Sequence, residues 1–566
     1  MMNRKVADAF EEIADLLELE GVEFKPRAYR KAASTIAAMD EDLVDLYEED
    51  RIQDVEGVGE SMEGKIREIV ETGSLEYLEE LREELPEGLV DVMRVPGLGP
   101  KGAMKLHREL GVDDLEGLKE AAEEGHVEGV EGFGERTQEK VLAGIEMLER
   151  VAGRHLISQV RPAAEALVRH LEDHVDRVEV AGSLRRWKET IGDIDVLVTG
   201  GDGDVMDLFT DHGEVEEVIA RGDTKTSVRL EGDLQVDLRL VEADAFGSAL
   251  QYFTGSKDHN ILLRRRAIGM GLKLSEYGLF EKDGGKRVAG ETEEGVYEAL
   301  DLAWIPPEMR EDAGEVDAAE GDDLPDLVTR EDLRGDLQMH SDWSDGHDTV
   351  LGMARACQDR GYGYMAITDH SGESAVGGVT ADTVDDRREE IEAAREELDI
   401  RVLDGVEVDV LRDGSLELAD DVLEGFDLVI GAVHTNLDLD EGEQTDRLTD
   451  ALSTDLIHIL AHPTGRKIGE REPMALDWDR LLDAALDHDV ALEINAYPVR
   501  LDLDAVAARR ARDAGVALSL GTDAHGPEHL DHMRYGVGVA RRAWLEPADI
   551  LNTLPIDDLL DRLGAD

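Results

Sequence analysis

Three aspartates in this 566-residue chain are spaced for metal-ion chemistry. The run G-D-I-D at 192–195 sets Asp193 and Asp195 two residues apart, which on a β-strand puts both carboxylates on one side. About forty residues later, Q-V-D-L-R brings Asp237 from what reads as a neighbouring strand. Carboxylates grouped in this way hold divalent cations, and magnesium is the expected ion. Two such ions would activate a hydroxyl and neutralise charge on the transferred and leaving phosphoryl oxygens. Just upstream, A-G-S-L-R-R at 181–186 offers Gly182 and Ser183 for close approach to the outgoing phosphates, with Arg186 as counter-charge. In a chain with 133 acidic residues a D-x-D alone says almost nothing. The ordered set of G-S, D-x-D and a later strand aspartate says much more.

A second constellation lies downstream, in D-L-Q-M-H-S-D-W-S-D-G from residue 336, then T-D-H, G-V-E-V, A-V-H, A-H-P and T-D-A-H. It supplies His340, Asp345, His370, Glu407, His434, His462, Asp523 and His525. A lone histidine is more often a surface or core residue than a ligand. Here each group falls at the end of an expected strand, where barrel folds build their active sites. The single cysteine, Cys357, excludes both a disulfide framework and a thiolate metal site. With only nitrogen and oxygen donors, manganese, zinc or iron is expected there.

The third pattern is V-E-G-V-G-E at 55–60, V-P-G-L-G-P at 95–100 and V-E-G-F-G-E at 130–135. Gly57 and Gly59, Gly97 and Gly99, Gly132 and Gly134 each sit between helical stretches. Gly-x-Gly lets the backbone turn tightly and aims amides of the next helix outward, where a phosphate can accept them. One copy would be an ordinary helix–helix turn; three shift the reading to DNA. They resemble helix-hairpin-helix motifs, which hold the DNA backbone without reading sequence.

These groups need elements to position them. Residues 3–85 and 88–150 carry apolar positions at helical spacing, broken by the glycine turns. From Val178 the period becomes that of strands, which reads as an α+β domain on an antiparallel or mixed sheet. Beyond residue 332, short β-branched runs alternate with helical ones and suggest a parallel-stranded barrel. Between them, residues 311–332 hold ten acidic residues and read as a solvated linker. The net charge of −73, from 60 basic against 133 acidic residues, argues against a protein that finds nucleic acid or membrane by being basic. Yet 14 of the 15 lysines lie at or before Lys286, so charge that can meet phosphate is kept in the first half. Low lysine, abundant acid and 4% aromatic residues fit work in concentrated salt, where the Debye length shrinks to about 3 Å. The N-terminus has no apolar signal region and no stretch approaches about 18 apolar residues. A cytoplasmic protein of a salt-adapted cell, with no membrane partner, is expected.

The segment Y-F-T-G-S-K-D-H-N-I-L-L-R at 252–264 decides between branches of the nucleotidyltransferase superfamily. It resembles the part of family X DNA polymerases that closes on the incoming nucleotide. The resemblance implies that Tyr252 and Phe253 press on the sugar, that Gly255 follows the turn, that Asn260 reaches the base edge and that Arg264 contacts the template side. Residues 1–86, with Lys25, Arg30 and Lys31, resemble that family's small lyase domain, and Lys65 falls on its Schiff-base lysine. The downstream half is similar to the polymerase and histidinol phosphatase (PHP) domain, a metallophosphoesterase with two or three ions. By that resemblance the eight residues named above are its ligands, and ions bridged by Glu407 would activate water for attack on a phosphodiester. Gln338-x-His340 stands where many members have His-x-His, which puts the third ion in question. Arg466 and Lys467 read equally as holders of the substrate phosphate and as a plain surface pair.

The implied organisation is a helical lyase-like domain at 1–86, a helix-hairpin-helix domain at 87–152, a palm at 153–240 and a nucleotide-closing subdomain at 241–310. The acidic linker at 311–332 and a distorted (β/α) barrel of PHP type at 333–566 complete it. The implied function is filling short DNA gaps in base excision repair from deoxynucleoside triphosphates, with 3′–5′ exonuclease activity, by a monomer on gapped or primer–template DNA. Two rivals remain: a DNA-end-binding scaffold with decayed sites, and a template-independent nucleotidyltransferase joined to a small-molecule phosphatase.

Overall fold

The computed structural model describes all residues except 1, 23, 40, 41, 50, 56, 87, 202–204, 373–376 and 566. The chain divides into two compact units, Met1–Ala152 with Gly469–Glu472, and Gly153–Ile468 with Pro473–Asp566.

The first unit is helical and has two cores. One gathers Phe10, Ile13, Tyr29, Ile36, Leu43 and Ile66; the other gathers Leu89, Val92, Leu106, Leu118, Val127 and Val141. The three glycine hairpins share the geometry of their first half, while the second glycine is extended at Gly59 and Gly134 and at φ 59° at Gly99. The first glycine of each, Gly57, Gly97 and Gly132, lies at φ of 83°, 83° and 85°, a conformation that glycine adopts without a Cβ penalty. The residue after it donates its amide to the carbonyl of the preceding valine, Val58 to Val55, Leu98 to Val95 and Phe133 to Val130, at 2.9–3.1 Å. Helices Glu60–Thr72, Gly99–Leu110 and Glu135–Val151 begin at or directly after the second glycine of each hairpin. Their first-turn amides have no partner within the helix.

The second unit opens on a five-stranded mixed sheet in which Asp193–Thr199 lies between Arg177–Val180 and Leu234–Leu240. Period two sorts its central strand. Ile194, Val196 and Val198 enter one core with Val236 and Leu238, whereas Leu197 packs with Phe246, Ala249 and Leu250 on the other face. Asp193 and Asp195 therefore share the face of Leu197. Asp195 stands in register with Asp237 across a parallel pair.

Downstream, seven parallel strands run in sequence order from Gly335–Asp336 to Leu518–Gly521. A parallel bridge between Met339 and Ala524 nearly closes them into a barrel. Strand residues are buried on both faces, as βα units require. Tyr364, Ala366, Leu403, Ile430 and Ile459 pack with Leu559 and Leu563 of the C-terminal helix Ile556–Leu563. Met365, Ile367, Val402 and Leu492 join the large core on the other side.

The expected solvated linker at 311–332 is instead folded into this unit. Glu315 is fully buried and its carboxylate lies 2.6 Å from His259 Nδ1, while His259 Nε2 lies 2.9 Å from the Tyr297 hydroxyl. Helix Glu315–Gly321 follows, and Leu327 and Val328 enter hydrophobic cores. Acidic composition misled because half a dozen apolar positions and one buried carboxylate suffice to anchor a segment.

The most buried charges include a paired arginine. Arg387, fully buried, reaches Asp369 at 3.1 Å, Asp404 at 2.5 Å and the Gly405 carbonyl at 2.6 Å, and Asp369 in turn accepts the Ser341 amide at 2.7 Å. Removing one partner of a buried pair leaves an uncompensated charge. Arg387→Ala is expected to lower the stability of the second unit by about 3–5 kcal/mol, read as a shift in its urea unfolding midpoint.

Candidate active sites

The palm residues converge on one cleft of about 480 Å³, lined by Gly182, Ser183, Arg186, Asp193, Asp195, Tyr252, Phe253, Gly255, Asn260 and Arg264. Gly182 lies at φ 63°, and a Cβ there would stand 3.0 Å from Asp195 Oδ2, so the turn approaches the carboxylate as only glycine can. At Gly255, φ 70°, a Cβ would stand 3.2 Å from the Arg186 guanidinium. The rings of Tyr252 and Phe253 meet edge to face at 5.2 Å. Asn260 is turned inward, its amide donating to the Tyr252 carbonyl at 2.7 Å and accepting from Gln251 at 2.6 Å. Arg264 remains exposed, with its Nε on the Asn260 carbonyl.

Crowded carboxylates set the electrostatics. Burial, with Asp193 adding to it, pushes Asp195 up to about 6. Asp237 behaves oppositely: against its burial, hydrogen bonds from Lys225, Ser227 and Gln235 hold it below the usual range. Lys225 Nζ lies 2.6 Å from Asp237, and the Arg239 guanidinium lies 3.6 Å from Asp237 and 4.0 Å from Asp195, stacked on Phe253 at 4.4 Å. Lys225 and Arg239 were not singled out in the sequence. The signal was there, since each occupies the same strand face as its carboxylate.

In the barrel, the eight expected ligands meet at the strand ends. Three overlapping groups have ligand atoms within 4.8 Å of one another among the described residues: His340 with Asp345, His370 and His525; His370 with Glu407 and His434; and His340 with Glu407 and Asp523. His462 joins through Glu407 Oε1 at 3.1 Å. His462 and Asp523 sit at φ of 29° and 52°, backbone conformations that non-glycine residues hold at a cost where function requires them. Glu407 Oε2, His340 Nδ1, His462 Nδ1 and Asp345 Oδ1 are buried without a hydrogen-bond partner. Orphaned lone pairs on such donors suit cations. Both amide atoms of Gln338 are likewise orphaned.

The charges follow. Although burial opposes it, His370, His434 and His462 hold Glu407 well below the carboxylate range. His434, between Glu407 and Asp409, is raised to about 10 against its burial, and His525 to about 9 beside Asp345. His370 and His462 go the other way, lowered chiefly by burial, the latter to about 4; bound ions would take over the neutralising role that the raised histidines play. Asp409, Glu493 and Asn495 were missed from sequence. They orient ligands, Asn495 donating to Asp523 at 3.2 Å and Glu493 accepting the His462 amide at 2.8 Å.

DNA polymerase/3′–5′ exonuclease PolX of Bacillus subtilis (strain 168) is 40% identical over 567 residues, which cover 99% of this chain and 99% of that one. The chain belongs to the PolX family of DNA polymerase/3′–5′ exonucleases. Four segments of this PolX-family chain match described domains: a helix-hairpin-helix domain at 1–75, a SAM-like helix-hairpin-helix tandem at 89–146, a DNA polymerase beta thumb at 249–311 and a PHP domain at 336–496. DNA polymerase lambda of Arabidopsis thaliana is 25% identical over 346 residues, 55% of this chain and 62% of that one. DNA polymerase lambda of Rattus norvegicus is 25% identical over 342 residues, 55% and 56%. Among the described residues no helix is long and apolar enough to cross a membrane.

One position of the PolX-family chain, Arg466, departs from the phosphate-holding alternative of its sequence reading. Arg466 does not face the barrel's site: its guanidinium is held by Glu189 at 2.7 and 3.2 Å and by the carbonyls of Arg500 and Leu501. Arg500 instead approaches, 3.6 Å from Asp523 Oδ2. In the first unit, Lys65 is half-buried over the Tyr77 ring at 4.6 Å, and burial with Lys25 nearby lowers its pKa. Arg30 is engaged by Glu18 at 2.6 Å and Asp15 at 2.8 Å.

Glu407 belongs to two of the three ligand groups. Glu407→Gln is expected to lower bound metal, counted by mass spectrometry after gel filtration, with affinity falling by more than the roughly 10–100-fold that loss of an outer-shell partner costs.

Proposed function

We propose that the chain fills short gaps in DNA at the palm cleft and removes 3′-terminal nucleotides at the barrel, as a repair polymerase of base excision repair. The single observation that carries this reading is the presence of two separate carboxylate-centred sites in one chain whose first unit carries the Gly-x-Gly hairpin three times. A small-molecule nucleotidyltransferase has no use for the hairpins, and a scaffold has no use for eight converging ligands.

In the palm, Asp193, Asp195 and Asp237 hold magnesium, with Ser183, Gly182 and Arg186 along the triphosphate. The ions, when bound, supply Lewis acidity for attack by the primer 3′-hydroxyl and for departure of pyrophosphate. Tyr252 and Phe253 wall the sugar, and Asn260 fixes Tyr252 through its carbonyl. Arg264 reaches out to the DNA. Lys225 and Arg239 lie against these carboxylates and offset their charge. In the barrel, His340, Asp345, His370, Glu407, His434, His462, Asp523 and His525 hold manganese or zinc. Gln338 leaves one position with a weak donor. Arg500, rather than Arg466, holds the scissile phosphate beside Asp523.

Gly57, Gly59, Gly97, Gly99, Gly132 and Gly134 present backbone amides to DNA phosphates. Such contacts suit a salt-adapted chain of charge −73, because purely ionic contacts weaken steeply as salt rises. Lys65, with its lowered pKa, acts as the nucleophile on a 5′-deoxyribose phosphate, its amine forming a Schiff base with the sugar aldehyde and releasing water.

Asp193→Ala with Asp237→Ala is expected to reduce extension of a gapped primer by at least roughly 10³-fold and to spare the nuclease. His370→Ala with Asp523→Ala is expected to do the reverse. Loss of both activities with either pair would defeat the two-site assignment. For Lys65, borohydride reduction on a 5′-deoxyribose phosphate end is expected to trap a covalent protein–DNA adduct in the wild type and none in Lys65→Ala. An adduct of equal yield in both would remove the lyase role.

A further inference from the structure

Three of the four residues that follow the palm's phosphate-facing turn, Arg186, Trp187 and Glu189, are held from the barrel. Arg542, at the end of helix Met533–Arg542, donates to the Arg186 carbonyl at 2.8 Å and to Glu311 Oε1 at 3.0 Å. Glu311 in turn accepts from Arg186 Nε at 3.0 Å. Arg186 is thus gripped at both its backbone and its guanidinium. Trp187, at φ 54°, lies with its ring 3.7 Å from the Arg161 guanidinium and edge to face with Tyr535 at 6.5 Å. Gly538 on the barrel helix leaves room for that ring, since a Cβ there would fall 2.6 Å from Trp187 Cε3. Lys188 stands 3.9 Å from the same Glu311 oxygen. Glu189 accepts both Nη groups of Arg466.

None of these barrel residues is a ligand of the barrel's own site. Their common target is the stretch that fixes where Arg186 points. We propose that the barrel is a positioning element of the polymerase site: Arg542, acting through Glu311, sets the Arg186 guanidinium for the incoming nucleotide's triphosphate. This rests on the reading of Arg186 as a triphosphate contact. Arg542 touches neither substrate nor ion, and its effect is on nucleotide affinity. A single guanidinium nitrogen, Nη1 of Arg542, serves the carbonyl and the carboxylate at once.

The test uses the full-length chain on a gapped primer, with single-turnover extension across a range of deoxynucleoside triphosphate. Arg542→Ala is expected to weaken nucleotide affinity about tenfold, within the usual range of coupling between sites. The maximal rate and the exonuclease should stay within about twofold of wild type. Arg542→Lys should recover part of the loss. Should Arg542→Ala fail to fold, Glu311→Gln reads the same coupling, since the amide keeps the shape and removes the charge that holds Arg186. Arg186→Ala is the control. If Arg186→Ala leaves nucleotide affinity unchanged, the reading of the palm cleft is wrong. If Arg186→Ala weakens affinity while Arg542→Ala and Glu311→Gln do not, the positioning role is overturned. It is also overturned if polymerase rate and exonuclease fall together, because a general loss of packing would do that.

Discussion

An enzyme that handles phosphodiesters through metal ions must crowd carboxylates together, and like charges at short range must be neutralised. This constraint organises both sites. In the palm, Asp195 and Asp237 stand side by side in register; burial, with Asp193 adding to it, pushes Asp195 up to about 6, while against its burial hydrogen bonds from Lys225, Ser227 and Gln235 hold Asp237 below the usual range. In the barrel, Glu407 is fully enclosed and is held well below the carboxylate range, against its burial, by His370, His434 and His462, with Arg500 beside Asp523. Glu407 Oε2, His340 Nδ1, His462 Nδ1 and Asp345 Oδ1, buried without a hydrogen-bond partner, are the atoms most open to cations.

Such a concentration of charge needs a scaffold that cannot relax away from it. The palm places its aspartates on a central strand whose other face is sealed by Ile194, Val196 and Val198. The barrel places its ligands just past the strand ends and holds two of them in left-handed backbone. Buried pairs such as Arg387 with Asp369 and Asp404 fix the loops from below. Likewise Glu293, buried but ionised, is gripped by Arg185 and Arg310 and ties the thumb region to the phosphate-facing turn.

Much of this was legible in the residues. Asp193 and Asp195 had to share a face because strand side chains alternate, and the structure sorts the strand as that period requires. The glycine hairpins were legible because positive φ is costly for every other residue. The barrel ligands were expected at strand ends because most of them follow short apolar runs such as Y-M-A-I-T-D-H and L-V-I-G-A-V-H. What failed was reading charge as exposure. Residues 311–332 looked like a solvated tether, yet Glu311 and Glu315 are structural anchors, because a carboxylate with two good partners is stable inside a protein. Arg466 failed for the same reason, its charge being committed to Glu189.

By itself, then, the sequence determined the chemistry: which donors exist, which metals they suit and which elements carry them, since these follow from residue type and local period. Only the tertiary structure decided which charges are free for substrate and which are already spent. Arg466 and Arg500 are indistinguishable as letters. Their roles separate because Glu189 lies beside one and Asp523 beside the other, a matter of proximity between segments far apart in the chain.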